Sequence, residues 1–208
     1  MRFSDDQIAL LRNNVENKLS KKRYVHTLGV EQAARYIGAF FDDLDISELS
    51  AAALLHDITK EYSLAEHKKL LKSYSVILSE SDMAIEAVLH SLTAPYAVLS
   101  SFSEYATSEI LSAIRNHTLG SPNMSIFDEI IFISDYVEDG RVYPACVEVR
   151  ESLYRDLQSA KCADDLRLSL HRAVVNSLDY TISSLRARGS KVHEQTIVTF
   201  NTFAAKLI

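Results

Sequence analysis

Glycine, proline and cysteine are scarce in this chain, at 5, 3 and 2 of its 208 residues. With so few turn-forming residues the connections must be few and the elements long, which favours helices and argues against a many-stranded sandwich. The two cysteines, Cys146 and Cys162, form no C-x-x-C pair and lie in helix-like surroundings, so neither a zinc ribbon nor a disulfide framework is signalled. A basic excess is also missing. With 22 Lys+Arg against 28 Asp+Glu and a formal net charge of −6, general attraction to nucleic acid or an anionic membrane is not indicated, although a local basic pocket is compatible with these totals. No apolar run approaches the ~20 residues that span a bilayer, and the opening MRFSDDQIALL lacks the basic-then-apolar order of a signal peptide. The expectation is a soluble cytoplasmic protein with no nucleic-acid or membrane partner.

Apolar sequence, in contrast, is plentiful. A hydrophobic content of 47% suits a globular core, and the chain reads as one all-α domain over 1–208. Ser4 with Asp5 and Asp6 opens a helix to about residue 20. Val30, Ala33, Ala34, Ile37 and Phe41 recur at helical spacing, and the stripe extends back to His26. The pattern then predicts helices at about 48–57, from Ser63 with Glu66 onward, and at about 82–90, 92–101 and 104–117. Ser125 with Asp128 restarts the chain after Gly120 and Pro122. Two or three more helices follow, at about 143–160, 163–187 and 191–206, with Gly189 as a stop.

Chemistry enters at residues 54–60, LLHDITK, where His56 and Asp57 stand directly behind apolar sequence. Burying an ionised carboxylate without a partner is expensive, by several kcal/mol or roughly so even after relaxation, so something must pair with Asp57. His26, His90 and His117 also have apolar neighbours, whereas His67, His171 and His193 have charged or polar ones and read as surface residues. Asp135, in IIFISDYV, is a second carboxylate among apolar residues. Each could be a satisfied core side chain on its own, but four such histidines and two such aspartates suggest a common partner. A divalent metal provides one, because imidazole nitrogen with carboxylate oxygen suits iron, manganese, zinc, nickel or cobalt.

The order His26, His56-Asp57, Asp135 resembles the H…HD…D signature of the HD-domain phosphohydrolases, an all-helical metal-dependent superfamily. His90 and His117 match the further histidines of members that hold two metals. The phrases RYVHTLGVEQAA, AALLHDITKEY, AIRNHTLG and IFISDYVEDGR are similar to the YqeK group, and the resemblance covers about residues 20–145. It implies an HD-type helical bundle with additional C-terminal helices, and symmetrical hydrolysis of diadenosine tetraphosphate to two ADP. It further implies one ion on His26, His56, Asp57 and Asp135, and a second on His90, His117 and a bridging Asp57, with a metal-activated water as nucleophile. Iron is the first choice, with manganese, cobalt, nickel or zinc as substitutes. Asp57 and Lys60 are read as catalytic. Arg23, Lys60, Arg115, Arg141 and Thr118 are read as polyphosphate contacts, with Asn116 a weaker candidate; homodimerisation is left open.

Two other readings compete. One keeps the metal and changes the substrate to a mononucleotide, a deoxynucleotide or a guanosine alarmone. The other is a nucleotide-binding module without turnover, against which the full ligand set counts. A purely structural bundle leaves Asp57 and Asp135 unexplained.

Overall fold

Serine side chains set the start of many helices. Ser63 and Ser125 form the expected capping boxes, Ser4 is the expected N-cap and forms a capping box with Gln7, and Ser20 and Ser79 also cap, each hydroxyl accepting from a backbone N–H three residues on. The computed structural model describes residues 2–207, and among them the chain is all-α. The order is α1 (Asp5–Glu16), α2 (Lys21–Gly38), α3 (Ile46–Leu55), α4 (Leu64–Ser73), α5 (Glu80–Met83), α6 (Leu89–Ser101), α7 (Ser108–Asn116), α8 (Ile126–Val137), α9 (Pro144–Ser159), α10 (Ala163–Ala187) and α11 (Glu194–Ala205). Gly189, with φ of +68°, follows α10 where a stop was expected.

Several boundaries differ from the sequence reading: the first helix ends at Glu16 and not near residue 20, and the helix expected from 104 begins at Ser108. The helix expected at 48–57 ends at Leu55, leaving His56 as its cap. The helix expected at 82–90 is broken by Ile85, whose backbone is not helical, into α5 and a 3-10 turn at Glu86–Val88. His90 therefore belongs to α6, which runs on through Pro95.

At the centre lies α3. Leu49 and every residue from Ala51 to Leu55 are buried, so this helix is apolar all round and is enclosed by α1, α2, α7 and α8. Arg12 of α1 grips Glu31 of α2 through two hydrogen bonds of 2.8 and 2.6 Å, fixing the first helix on the second. Behind α8, Met124 and Phe132 meet Val174 and Leu178 of α10 and Phe203 of α11 in a second apolar cluster. The His171 imidazole of α10 sits 2.6 Å from buried Glu129 of α8, so His171 is an inter-helix contact and not the surface residue expected. No helix among the described residues is long and apolar enough to cross a membrane.

Candidate metal centre

Helix ends deliver the polar groups into the core. α3 stops at Leu55, which places His56 and Asp57 in the interior with 0% and 2% of their surface exposed. Nδ1 of His56 donates to the Ala53 carbonyl at 2.6 Å, and Nδ1 of His117, at the end of α7, donates to the Ile114 carbonyl at 2.7 Å. A carbonyl only accepts, so each Nδ1 carries the proton and each Nε2 turns a lone pair inward. His26 arrives from α2, with Nδ1 3.1 Å from Glu138 Oε1. His90 comes from the first turn of α6 and Asp135 from the last turn of α8.

Asp57 is the hub of this group. Its Oδ2 lies 3.5 Å from His56 Nε2 and 3.8 Å from His26 Nε2, while its Oδ1 lies 3.3 Å from His90 Nε2 and 3.5 Å from His117 Nε2. The two oxygens thus face two different pairs of imidazoles. His26 Nε2, which is also 3.0 Å from Asp135 Oδ1, His56 Nε2 and Asp57 Oδ1 are buried yet make no hydrogen bond. Three orphaned donor or acceptor atoms in one place would be a severe penalty in a finished core. A divalent cation removes the penalty, and three overlapping sets, His26/His56/Asp57, His56/His117/Asp135 and Asp57/His90/His117, each have ligand atoms within 4.8 Å of one another. This His/Asp cluster can hold a metal.

Electrostatics favour the same occupant. Burial alone would raise the Asp57 pKa, but the imidazoles of His56, His117 and His90 hold it well below the usual carboxylate range. Asp135 is likewise held down against burial by His26 and Arg141. Burial pushes the pKa values of His90 and His117 below their ordinary value, which favours the lone-pair form that a metal needs. The C-terminal ends of α3, α7 and α8 converge here and add negative potential.

Around the cluster the structure places cations unevenly. Nη1 of Arg23 donates to Asp57 Oδ2 at 2.7 Å, and Nη2 of Arg141 donates to Asp135 Oδ1 at 2.8 Å. The Lys60 ammonium lies 3.1 Å from His90 Nε2, and Thr118 Oγ1 lies 2.9 Å from the same atom. Lys22, Arg23, Lys60 and Arg141 line one cavity of about 600 Å³ together with His26 and Glu138. Arg115 and Asn116 are not brought there. They line a different cavity with Ser79, Asp82 and His193, and Asp82 is the carboxylate that acts on the Arg115 guanidinium.

Two further readings are corrected by burial. His67, 4% exposed, bonds Thr93 Oγ1 at 2.8 Å, and Thr93 is 3.0 Å from Thr59, whose hydroxyl donates to the His90 carbonyl. His193, 8% exposed, caps α11 and pairs with Asp82 at 3.2 Å. Neither is a surface residue, and neither has a nitrogen in the metal-ligating sets. Sequence reasoning also passed over Glu138, Thr59 and Thr93. The signal for Glu138 was its place three residues after Asp135, one turn along the same face.

Removing metal should expose the opposed histidine shifts as a peak in stability near pH 6.5. His90 and His117 bind protons more weakly folded than unfolded, so their contribution is complete above about 6.5, the unfolded value, and is lost as pH falls. His26 does the reverse, because Asp135 and Glu138 outweigh the effect of burial and raise its pKa to about 9. Its contribution is complete below about 6.5 and is lost as pH rises towards 9. Thermal melting of chelator-treated protein across this range checks the shape; a melting temperature that climbs steadily from about pH 6.5 to 9 would contradict it.

Known proteins are similar to this chain. The HD domain family pattern matches residues 23–140, a segment that contains all six clustered residues. The chain is 30% identical over 189 residues to a protein of Halalkalibacterium halodurans named bis(5'-nucleosyl)-tetraphosphatase, symmetrical, covering 90% of this chain and 91% of that one. It is 28% identical over 187 residues to the protein of the same name from Bacillus subtilis, covering 90% and 92%. A crystal structure from Clostridium acetobutylicum, described as a predicted HD superfamily hydrolase involved in NAD metabolism, superposes with a TM-score of 0.82 at 27% identity over 98% of both chains. With that pattern spanning more than half its length, the chain belongs to the HD domain family, among its YqeK-type members.

Proposed function

We infer that this protein hydrolyses diadenosine tetraphosphate symmetrically, giving two ADP, and that it does so with divalent metal. The observation that carries the reading is Asp57, whose two oxygens face separate imidazole pairs beside a cavity lined by four cations. His26, His56, Asp57 and Asp135 are assigned to one ion, and His90 and His117 with a shared Asp57 to a second. Iron is the first choice, with manganese, cobalt, nickel or zinc able to occupy the same mixed nitrogen and oxygen set. When bound, the metal centre supplies Lewis acidity towards the phosphoryl oxygens and lowers the pKa of water to near neutrality.

The chain's own residues do the rest. His56 and His117, locked by their backbone hydrogen bonds, keep Nε2 aimed at the centre without needing to reorganise. Arg23 and Arg141 sit between the carboxylates and the cavity, where a planar guanidinium can take phosphate oxygens in pairs. Lys60 and Lys22 add point charges for a polyphosphate chain, and burial, opposed by Asp57 and Asp135, lowers the Lys60 pKa. Thr118 is assigned to orienting the ligand beside His90. In the reaction, water adds to one inner phosphorus, the bond from that same phosphorus to the bridging oxygen breaks, the bridging oxygen leaves on the other inner phosphorus as the second ADP, and the protons of the water are released.

Chromatography of early products tests this reading. ADP alone is expected, and heavy-oxygen water should label one of the two ADP molecules formed per turnover. AMP and ATP in equal amounts would overturn the symmetrical assignment. Failure to cleave any dinucleoside polyphosphate would move the substrate to a mononucleotide.

A further inference from the structure

We propose that Glu138 is a positioning residue that fixes the His26 ring for metal, and that Gly29 and Gly140 are glycines in order to seat its carboxylate. The proposal rests on the reading of His26 as a metal ligand. Glu138 is the residue that ends α8, and only 5% of its surface is exposed. Its carboxylate is divided between two donors: Oε1 lies 3.1 Å from His26 Nδ1, and Oε2 accepts the Gly140 N–H at 2.6 Å. Because a carboxylate has no proton to give, Glu138 keeps a proton on His26 Nδ1, which leaves Nε2, 3.0 Å from Asp135 Oδ1 and 3.8 Å from Asp57 Oδ2, as the atom that a metal would take. His56 and His117 obtain the same tautomer from backbone carbonyls of their own helices. His26 lies in the middle of α2, where backbone carbonyls are taken up by the helix, so an outside acceptor is needed.

Space for that acceptor is made by absent side chains. A Cβ added at Gly29, one turn after His26 on α2, would stand 2.5 Å from Glu138 Oε2. A Cβ at Gly140 would stand 2.8 Å from the same oxygen. Gly29 is inside a helix, a place where glycine is less favourable than alanine by about 1 kcal/mol, and the seated carboxylate accounts for its presence there. Outer partners of this kind are worth about tenfold to a hundredfold in metal affinity.

Cobalt(II) titration of metal-stripped protein tests the proposal without substrate. Glu138→Gln keeps the shape but presents an amide, which cannot accept from His26 and from Gly140 at once. Gly29→Ala keeps the carboxylate and pushes it aside; it should not unfold α2, since the clashing atom ends a flexible side chain and alanine favours helix. Each variant should bind cobalt about tenfold or more weakly, with a changed visible cobalt spectrum and the helical circular dichroism of the metal-free protein retained. In a Glu138→Ala background, adding Gly29→Ala should cause no further loss, because the displaced group is gone. Glu138→Gln or Gly29→Ala binding cobalt as wild type does, while His26→Ala binds it weakly, would overturn the proposal alone. Losses that add in the double variant would also overturn it. Cobalt binding unchanged in His26→Ala would overturn the ligand reading and the proposal together.

Discussion

Asp57→Asn is expected to lower hydrolysis of diadenosine tetraphosphate by about a thousandfold or more, equivalent to about 4 kcal/mol at the transition state. The change keeps volume and hydrogen-bonding size, so the protein should retain its helical circular dichroism. What it removes is the anion whose oxygens face His26 and His56 on one side and His90 and His117 on the other. An amide has one oxygen, and its NH2 group would turn a donor towards imidazole nitrogens that are themselves lone-pair donors to metal. Asp135→Asn should act in the same direction, losing bound metal and activity while staying folded. Either variant retaining more than about a tenth of the wild-type rate would remove the carboxylates from the chemistry and leave them as structural partners of Arg23 and Arg141.

His90→Ala should bring the metal content to about half that of wild type and reduce turnover by about a hundredfold or more. His90 and His117 are the imidazoles facing Asp57 Oδ1, whereas His26 and His56 face Oδ2, so the loss should be confined to one half of the centre. Elemental analysis after exhaustive dialysis, with protein measured by amino-acid analysis, reads this directly. Wild-type protein saturating at one ion per chain with full activity would contradict the two-ion assignment. Complete loss of metal from His90→Ala would show that the two halves do not bind independently.

The six clustered residues were legible because each polar group sits among apolar neighbours that can only be going inside. His56 and Asp57 behind Ala51–Leu55 state a burial problem that a metal would solve, and Asp135 within IIFISDYV is partly buried beside them. Less was legible where helix geometry hides a residue's direction. His67 is flanked by Glu66, Lys68 and Lys69, all facing out, but it shares its buried face with Leu71 four residues on. Arg115 precedes His117 by two positions, roughly 200° around a helix, so proximity in sequence turned it away from the cluster and towards Asp82. Glu138 escaped notice because its neighbours, Asp139 and Gly140, read as a turn, and its role depends on a glycine in a helix far earlier in the chain.

The apolar cluster behind α8 bears on how such a protein can be cut and joined. Recognition by pattern ends at residue 140, but the helix that carries Asp135 has Phe132 and Glu129 turned the other way, onto α10 and α11. A gene trimmed to the recognised segment would encode a protein with a greasy wall and a lone acid facing water, prone to clump before it could fold. A fusion partner attached beyond α11 or ahead of α1 would leave that wall covered by its own helices.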